Sequence, residues 1–332
     1  MEKRQFGNTD LIVSEVGFGA WAIGGPAMAG DIPIGWGKTN DKESISALKK
    51  AFDSGINFFD TADFYGLGHS EKLIGNTFGN DPSVIIATKV GHRLSEKQQI
   101  YTDYSKNYII KACEHSLKRL KRDQIDYYQL HTAKKDDLEK MESIEALEIL
   151  KEQGKIRFWG VSLNTYNPFP EAEFLIDNGL GSGLQIVFNI LNQRTRDLIK
   201  KASDANFGII ARMPLQFGLL ANKFKQDEKF GGNDHRKFRL KEKFLSEVIP
   251  ELDAVWEMAT AYNIPPAAFN LSFILSFTGV STVIPGIKNT AQAIANAENI
   301  MAISQNDKNA IIDLYETRLR HLLDDLERDE TK

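Results

Sequence analysis

Four residue types that together can move a proton occur in order within the first part of the chain: Asp60 and Tyr65 in FFDTADFYG, Lys89 in VIIATKVG and His131 in YYQLH. A tyrosine is a useful acid for a carbonyl oxygen when its pKa falls from about 10 toward the working pH, and an adjacent ammonium does that by favouring the phenolate. Lys89 is the candidate for that ammonium. A carboxylate such as Asp60 would hold the lysine protonated and aimed, while an imidazole such as His131 orients a substrate oxygen or relays a proton. Any one of these residues alone is more often a packing residue than a catalyst, so their placement decides the reading.

Asp60, Lys89 and His131 each follow a short apolar or β-branched run (INFF, SVIIAT, IDYYQL), which places them at the carboxyl ends of successive strands. Strand-length runs alternate with amphipathic helical stretches almost from end to end, the pattern of βαβ units and a parallel sheet. The strand candidates are 16–19, 57–60, 84–89, 126–130, 156–162, 184–189, 208–213 and 281–285. Helices are expected near 41–54, 70–78, 105–121, 136–153, 170–178, 195–205, 251–262 and 289–300. Eight repeats of one α/β unit predict a closed (β/α)₈ TIM barrel, in which parallel strands bring the three side chains to one face. The opening KRQFGNTDLIVSEV reads as a β-hairpin plugging the amino-terminal end, and the segment after Asn306, its expected cap, reads as an extra C-terminal helix with Ile311, Leu314, Leu319, Leu322 and Leu326 on one face. No Gly/Ser/Pro-rich linker divides the chain, so residues 1–332 are expected to form one domain.

With 42% hydrophobic and 26% charged residues, the 332-residue chain can bury a large core. A net charge of −4 gives no field that would draw nucleic acid or an anionic membrane, so neither is expected as a partner. No apolar run is long enough to span a bilayer and the start MEKRQFGNTD is polar, which predicts a soluble, cytoplasmic protein. Cys113 is the only cysteine, which excludes an intrachain disulfide and a thiolate zinc site. His69, His92, His115, His235 and His321 lack metal-binding spacing and are read mostly as surface residues; no metal is expected.

Binding residues of such a barrel sit on the loops at its carboxyl face. Residues 20–40, residues 214–249 with the basic stretch DHRKFRLKEKF, and the tail after about 300 are the long connections. Trp21, Trp36, Phe64 and Phe217 are the candidates for an apolar or sugar-stacking substrate pocket.

Over nearly its whole length the chain resembles the aldo-keto reductase superfamily, on GFGAWAIGG, INFFDTADFYG, GHSEKLIG, VIIATKVG, DYYQLH, GKIRFWGVSLNTY, LQIVFNILNQR, MPLQFGLL and STVIPGIKNTAQAI. The resemblance implies Tyr65 as general acid/base, Lys89 and Asp60 as its tuning pair, His131 as the carbonyl-orienting residue, and hydride from NADPH, with NADH less favoured. It also implies that Ser162, Asn164 and Gln185 bond the nicotinamide carboxamide, a group with one acceptor and a two-proton donor. Ala20 and Trp21 after the first strand fall within the same site, and Pro214, Leu215, Gly218 and Leu220 match the stretch under the pyrophosphate. Gly286, Lys288, Asn289, Gln292 and Asn296 open the last helix, where backbone N–H groups and a lysine suit a phosphate. Three positions depart from the pattern. Arg212 stands where relatives often have an aromatic against the nicotinamide, Ala295–Asn296 where many have Glu-Asn, and Gln292 where some NADPH-specific branches have arginine. The resemblance implies a small carbonyl or sugar substrate and leaves the oligomeric state open. Two other classes are compatible with the same residues: an NADPH-binding regulatory subunit with little turnover, and a coenzyme-free lyase forming a Schiff base on Lys89.

Overall fold

The computed structural model describes residues 1–231, 234 and 236–330, so the reading of His235 lies outside the described residues. Eight parallel strands form the barrel: β1 (Phe18–Gly19), β2 (Phe58–Asp60), β3 (Ile85–Val90), β4 (Ile125–His131), β5 (Ile156–Ser162), β6 (Gly183–Val187), β7 (Gly208–Arg212) and β8 (Thr282–Ile284). They pair in sequence order, and bridges between Val16 and Val283 and between Gly19 and Gly286 close the eighth strand onto the first. The fold is a (β/α)₈ barrel, as the alternating pattern predicts, with all eight strand candidates in place.

The outer layer contains α1 (Asp41–Asp53), α2 (His69–Phe78), α3 (Lys106–Leu120), α4 (Glu142–Glu152), α5 (Phe169–Asp177) and α6 (Arg196–Asp204). The chain then forms α7 (Glu242–Ala261), α8 (Pro266–Leu275) and α9 (Thr290–Ala297). Local chemistry sets the ends of these helices. The Asn40 side chain accepts from the N–H groups of Lys42 and Glu43 at the start of α1, and Asn289 does the same for Gln292 at the start of α9.

Four elements differ from the sequence expectation. The helix expected over 136–153 breaks at Met141, whose φ is 60°, leaving a short turn Lys135–Glu139 before α4. Pro250 lies inside α7, so that helix starts nine residues before the expected 251 and converts part of the 214–249 loop into helix. The helix that packs against β8 is α8, which the periodicity misses because Ala268 to Leu275 are all buried and offer no polar face. In the tail, Ser304 caps the helix, its Oγ accepting from Asp307 N, so the expected cap at Asn306 is displaced by two residues. That helix runs as Gln305–Leu314, passes through a wider π turn over Tyr315–Leu319, and continues as Arg320–Glu330.

The hairpin of Lys3–Gln5 and Ile12–Ser14 closes the amino-terminal end of the barrel. Phe6, at its turn, packs edge-on against Tyr127 at 4.9 Å and beside Phe58 at 6.4 Å, with Ile85, Ile210 and Ile284 completing the floor. Gly183 and Gly208 make room for it: a Cβ on either would stand 2.7 or 2.5 Å from the Phe6 ring. The floor is therefore a fitted joint. Phe6→Ala should cost about 3–5 kcal/mol of stability in urea unfolding, from lost burial plus the cavity left behind. A loss under about 1 kcal/mol would show that the hairpin merely rests on the barrel.

Candidate active site

Asp60 ends β2, Lys89 lies one residue before the end of β3, and His131 ends β4, so parallel pairing delivers all three to the carboxyl mouth. Lys89 pairs in register with Gln129, and His131 with Ser162, which in turn pairs with Gln185. Tyr65 arrives from the loop after β2. There Gly66, Leu67 and Gly68 take φ values of 59°, 52° and 91°, a run of left-handed backbone that turns the chain sharply back. A Cβ at Gly66 would meet the Gly24 carbonyl at 2.0 Å, so only glycine lets this turn close on the loop after β1.

The Lys89 ammonium is fully buried and makes three contacts: Asp60 Oδ1 at 2.5 Å, the Thr61 carbonyl at 2.9 Å and the Tyr65 hydroxyl at 3.3 Å. An ammonium has three protons, and all three are placed. Burial by itself would lower the lysine's pKa, but the charge of Asp60 and the Tyr65 phenol outweigh it and hold Lys89 above its ordinary value. The other Asp60 oxygen accepts from Gln185 Nε2 at 2.7 Å and Gln129 Nε2 at 3.2 Å. The buried carboxylate thus has a donor on each oxygen.

The His131 ring stands edge-on to Tyr65, with centroids 5.9 Å apart, and is stacked on the ring of His92 at 4.3 Å with an interplanar angle of 7°. Its Nδ1 is buried without a hydrogen-bond partner. An orphaned lone pair is tolerated inside a protein more readily than an orphaned N–H, so we assign the proton to Nε2. Burial, then the neighbouring His92, Lys89 and Arg212, hold His131 well below the usual imidazole pKa. A neutral donor therefore faces the mouth. The His131 carbonyl accepts from the Tyr104 hydroxyl and from Thr132 Oγ1, both at 2.7 Å.

Ser162 Oγ donates to Gln185 Oε1 at 3.2 Å, so these two form one buried polar unit beside Asp60. Asn164 is exposed and its Oδ1 accepts from Tyr166 and Asn167 N–H, a turn that leaves only its amide protons for a ligand. Arg212 lies near Tyr65 and Asp60, its guanidinium held by the Leu163 carbonyl at 3.0 Å and Thr165 Oγ1 at 3.1 Å. Ala20 is buried and donates its N–H to the Asp60 carbonyl. Around the mouth, Trp21 touches Trp36 at 5.2 Å, Tyr65 at 6.3 Å and Phe217 at 6.5 Å. Phe64, expected with them, turns its ring edge to His92 at 5.5 Å.

The turn after β7 also departs from expectation. Pro214 and Leu220 are buried, and the N–H groups of Gly218 and Leu220, expected to face a pyrophosphate, both donate to the Leu215 carbonyl, at 2.8 and 3.2 Å. After β8, Gly286 has nothing within 4 Å of where a Cβ would project, Lys288 is exposed, and Asn296 is buried. Gln292 Oε1 accepts from the Lys288 N–H at 2.9 Å, which pins the side chain to the start of α9.

Sequence reasoning misses Gln129, Tyr104 and His92. Gln129 had a signal: it lies two residues before His131 in β4, so strand alternation points both into the barrel, where a polar side chain needs a partner. His92 opens and Tyr104 follows the small antiparallel hairpin His92–Leu94 and Ile100–Thr102, which no periodicity announces; His115 and His321 are exposed and His69 pairs with Asp41 at the surface, as expected of most leftover histidines, whereas His92 lies partly buried against His131.

Buried Asp60 and Lys89 and half-buried Tyr65 and His131 thus gather at the mouth of one barrel, groups whose chemistry suits moving a proton to an oxygen. The Aldo/keto reductase family model matches residues 15–316, and the chain belongs to that family of oxidoreductases. It is 31% identical over 312 residues to the uncharacterized oxidoreductase YqkF of Bacillus subtilis, covering 91% of each chain. It is 27% identical over 350 residues to the NADH-specific methylglyoxal reductase of Escherichia coli, covering 99% of this chain and all of that one. Among solved structures, the holo form of aldo-keto reductase AKR11C1 from Bacillus halodurans superposes with a TM-score of 0.76 at 28% identity, covering 95% of this chain and 96% of that one.

The depressed His131 pKa makes stability depend on pH. Above the unfolded value of about 6.5 both states hold the ring neutral, so there is no penalty; below it the unfolded chain binds a proton that the folded one refuses, and stability falls as pH drops toward the folded value. Between pH 7 and 5.5 the wild type should lose about 1 kcal/mol more than His131→Gln in denaturant titrations. Parallel curves for the two proteins would mean that His131 takes up a proton freely in the folded state.

Proposed function

We propose that the protein catalyses hydride transfer between a nicotinamide coenzyme and an aldehyde or ketone, or the corresponding alcohol or sugar, with Tyr65 as the general acid/base. One observation carries the reading: the Lys89 ammonium stands 3.3 Å from the Tyr65 oxygen with Asp60 and Thr61 taking its other two protons. That oxygen therefore accepts from the lysine, leaving the phenol's own proton to point toward the mouth, where a substrate oxygen would take it. The neutral His131 would donate a second hydrogen bond from Nε2 to the same oxygen, and the Trp21, Trp36 and Phe217 rings would exclude water around it.

The donor set suits a dinucleotide. Ser162, Gln185 and the free amide of Asn164 would meet a nicotinamide carboxamide, and Arg212 offers a flat cation beside the ring. At the other end, the open space at Gly286 and the exposed Lys288 would receive the adenosine phosphate. The bound dihydronicotinamide supplies the hydride. The names of the relatives point both ways, NADH for the Escherichia coli methylglyoxal reductase and NADP(+) for the Schizosaccharomyces pombe aldo-keto reductase yakc, so the case for NADPH here rests on Lys288.

Tyr65→Phe deletes the proton donor and little volume, so kcat for carbonyl reduction should fall by about a hundredfold or more while the coenzyme dissociation constant stays within about twofold. Wild-type turnover in that variant would rule out Tyr65 as the acid. Lys288→Met should weaken NADPH binding on the order of tenfold in fluorescence titration and leave NADH binding alone, because only the former carries the extra phosphate. Equal weakening of both would place the 2′-phosphate elsewhere.

A further inference from the structure

We propose that His92 is a positioning residue for this chemistry: its ring, clamped by Thr132, holds the ring of His131 in place at the barrel mouth by stacking. The proposal rests on the reading of His131 as the group that orients the substrate oxygen. An imidazole with that duty is ordinarily aimed by a hydrogen bond on its second nitrogen. His131 has none, since its Nδ1 is buried and unpartnered. Rotation about the Cβ–ring bond is soft and two-fold, so something else must fix the plane and keep Nε2 outward.

The contact that can do so is the parallel face of His92 at 4.3 Å and 7°. His92 is itself held from two sides. The Phe64 ring meets it edge-on at 5.5 Å, and its Nε2 lies 2.9 Å from Thr132 Oγ1. Thr132 Oγ1 also lies 2.7 Å from the His131 carbonyl, so one hydroxyl links the His92 ring to the backbone of His131. Thr132 has a φ of 64°, left-handed backbone that a β-branched residue rarely adopts. The Thr132 N–H is fixed to the Ser162 carbonyl at 2.8 Å, and the preceding carbonyl to Tyr104. A strained residue thus ties the backbone of one histidine to the ring of the other, and the hairpin beginning at His92 is joined to the catalytic rung.

The test compares wild type, His92→Ala and His92→Phe. His92→Ala should lower kcat on the order of tenfold, with coenzyme affinity within about twofold, because a loosened His131 ring touches the reacting oxygen and not the coenzyme. His92→Phe keeps a flat ring without the nitrogen and should recover most of that loss. Ring-nitrogen NMR shifts of His131 provide a readout that needs no turnover: separate protonated and unprotonated nitrogens in wild type and His92→Phe, moving toward a tautomer average in His92→Ala. Unchanged kcat and unchanged His131 shifts in His92→Ala overturn the proposal. So does an equal loss in both variants accompanied by weakened coenzyme binding, which marks a general structural defect. If the wild type turns over no carbonyl or alcohol, the functional reading fails separately, and the His131 shifts alone decide whether His92 holds the ring.

Discussion

The contact between Lys89 and Asp60 sets the terms for the barrel interior. Moving an ammonium and a carboxylate out of water costs several kcal/mol each, and mutual attraction offsets this only when every remaining proton and lone pair is also met. Here the ammonium is met by Asp60, Thr61 and Tyr65, and the carboxylate by Lys89, Gln129 and Gln185. One carboxylate on β2 therefore binds side chains from β3, β4 and β6. The requirement to satisfy a buried charge pair becomes a constraint on how four strands align, and that alignment places Tyr65 against the lysine.

The two ends of the barrel meet different demands. At the amino-terminal end the floor is apolar and close-fitting: Phe6 occupies space left by Gly183 and Gly208, and Gly160 is needed because a Cβ there would strike the Tyr127 hydroxyl. At the carboxyl end the backbone is bent into left-handed conformations next to polar side chains. Thr132 follows His131, and Met213, Gln216, Phe217 and Asn222 cluster after β7, all at positive φ. Such residues persist only where their surroundings over-determine them. Around the β7 turn, that restraint includes the Asn189 amide, which donates to the Met213 carbonyl at 2.9 Å, and the Asn270 amide, which donates to the Leu220 carbonyl at 2.8 Å.

Much of this was legible in the chain because period and strand ends are local signals. Eight apolar runs, each followed by a helical pattern, specify the barrel, and a polar residue at the end of a run marks the mouth, as Asp60, Lys89 and His131 do. Elements whose signal is not periodic were lost. The helix α8 is buried from Ala268 to Leu275, Asn270 and Ser272 included, and so carries no amphipathic period, while Pro250 reads as a helix boundary although it lies inside α7. At the site, residue type revealed which groups could transfer a proton but not what each side chain was already bonded to. The Gly218 and Leu220 N–H groups look available in sequence and are spent on Leu215, whereas His92 looks idle and lies against His131. Those facts depend on contacts between segments tens of residues apart.

The division between strand ends and loops separates chemistry from choice of substrate. Asp60, Lys89 and His131 sit on the sheet, and hydrogen bonds of defined direction hold Asp60 and Lys89, so the place where Tyr65 meets the Lys89 ammonium is anchored to the barrel. Trp21, Trp36 and Phe217 sit on loops and meet through ring contacts of 5.2 to 6.5 Å, which set shape without setting direction. A ring can repack by a rotamer change at little cost, whereas shifting Lys89 by an ångström would leave a buried charge unpaired. Repacking in the aromatic wall can therefore reshape the mouth while the buried contacts of Lys89 with Asp60 and Thr61 stay as they are. The hairpin that begins at His92 belongs to both groups: its body is a loop, but its first residue rests on the ring of His131, so repacking it would reach a residue of the site directly, as the contact of Trp21 with Tyr65 does from the loop after β1.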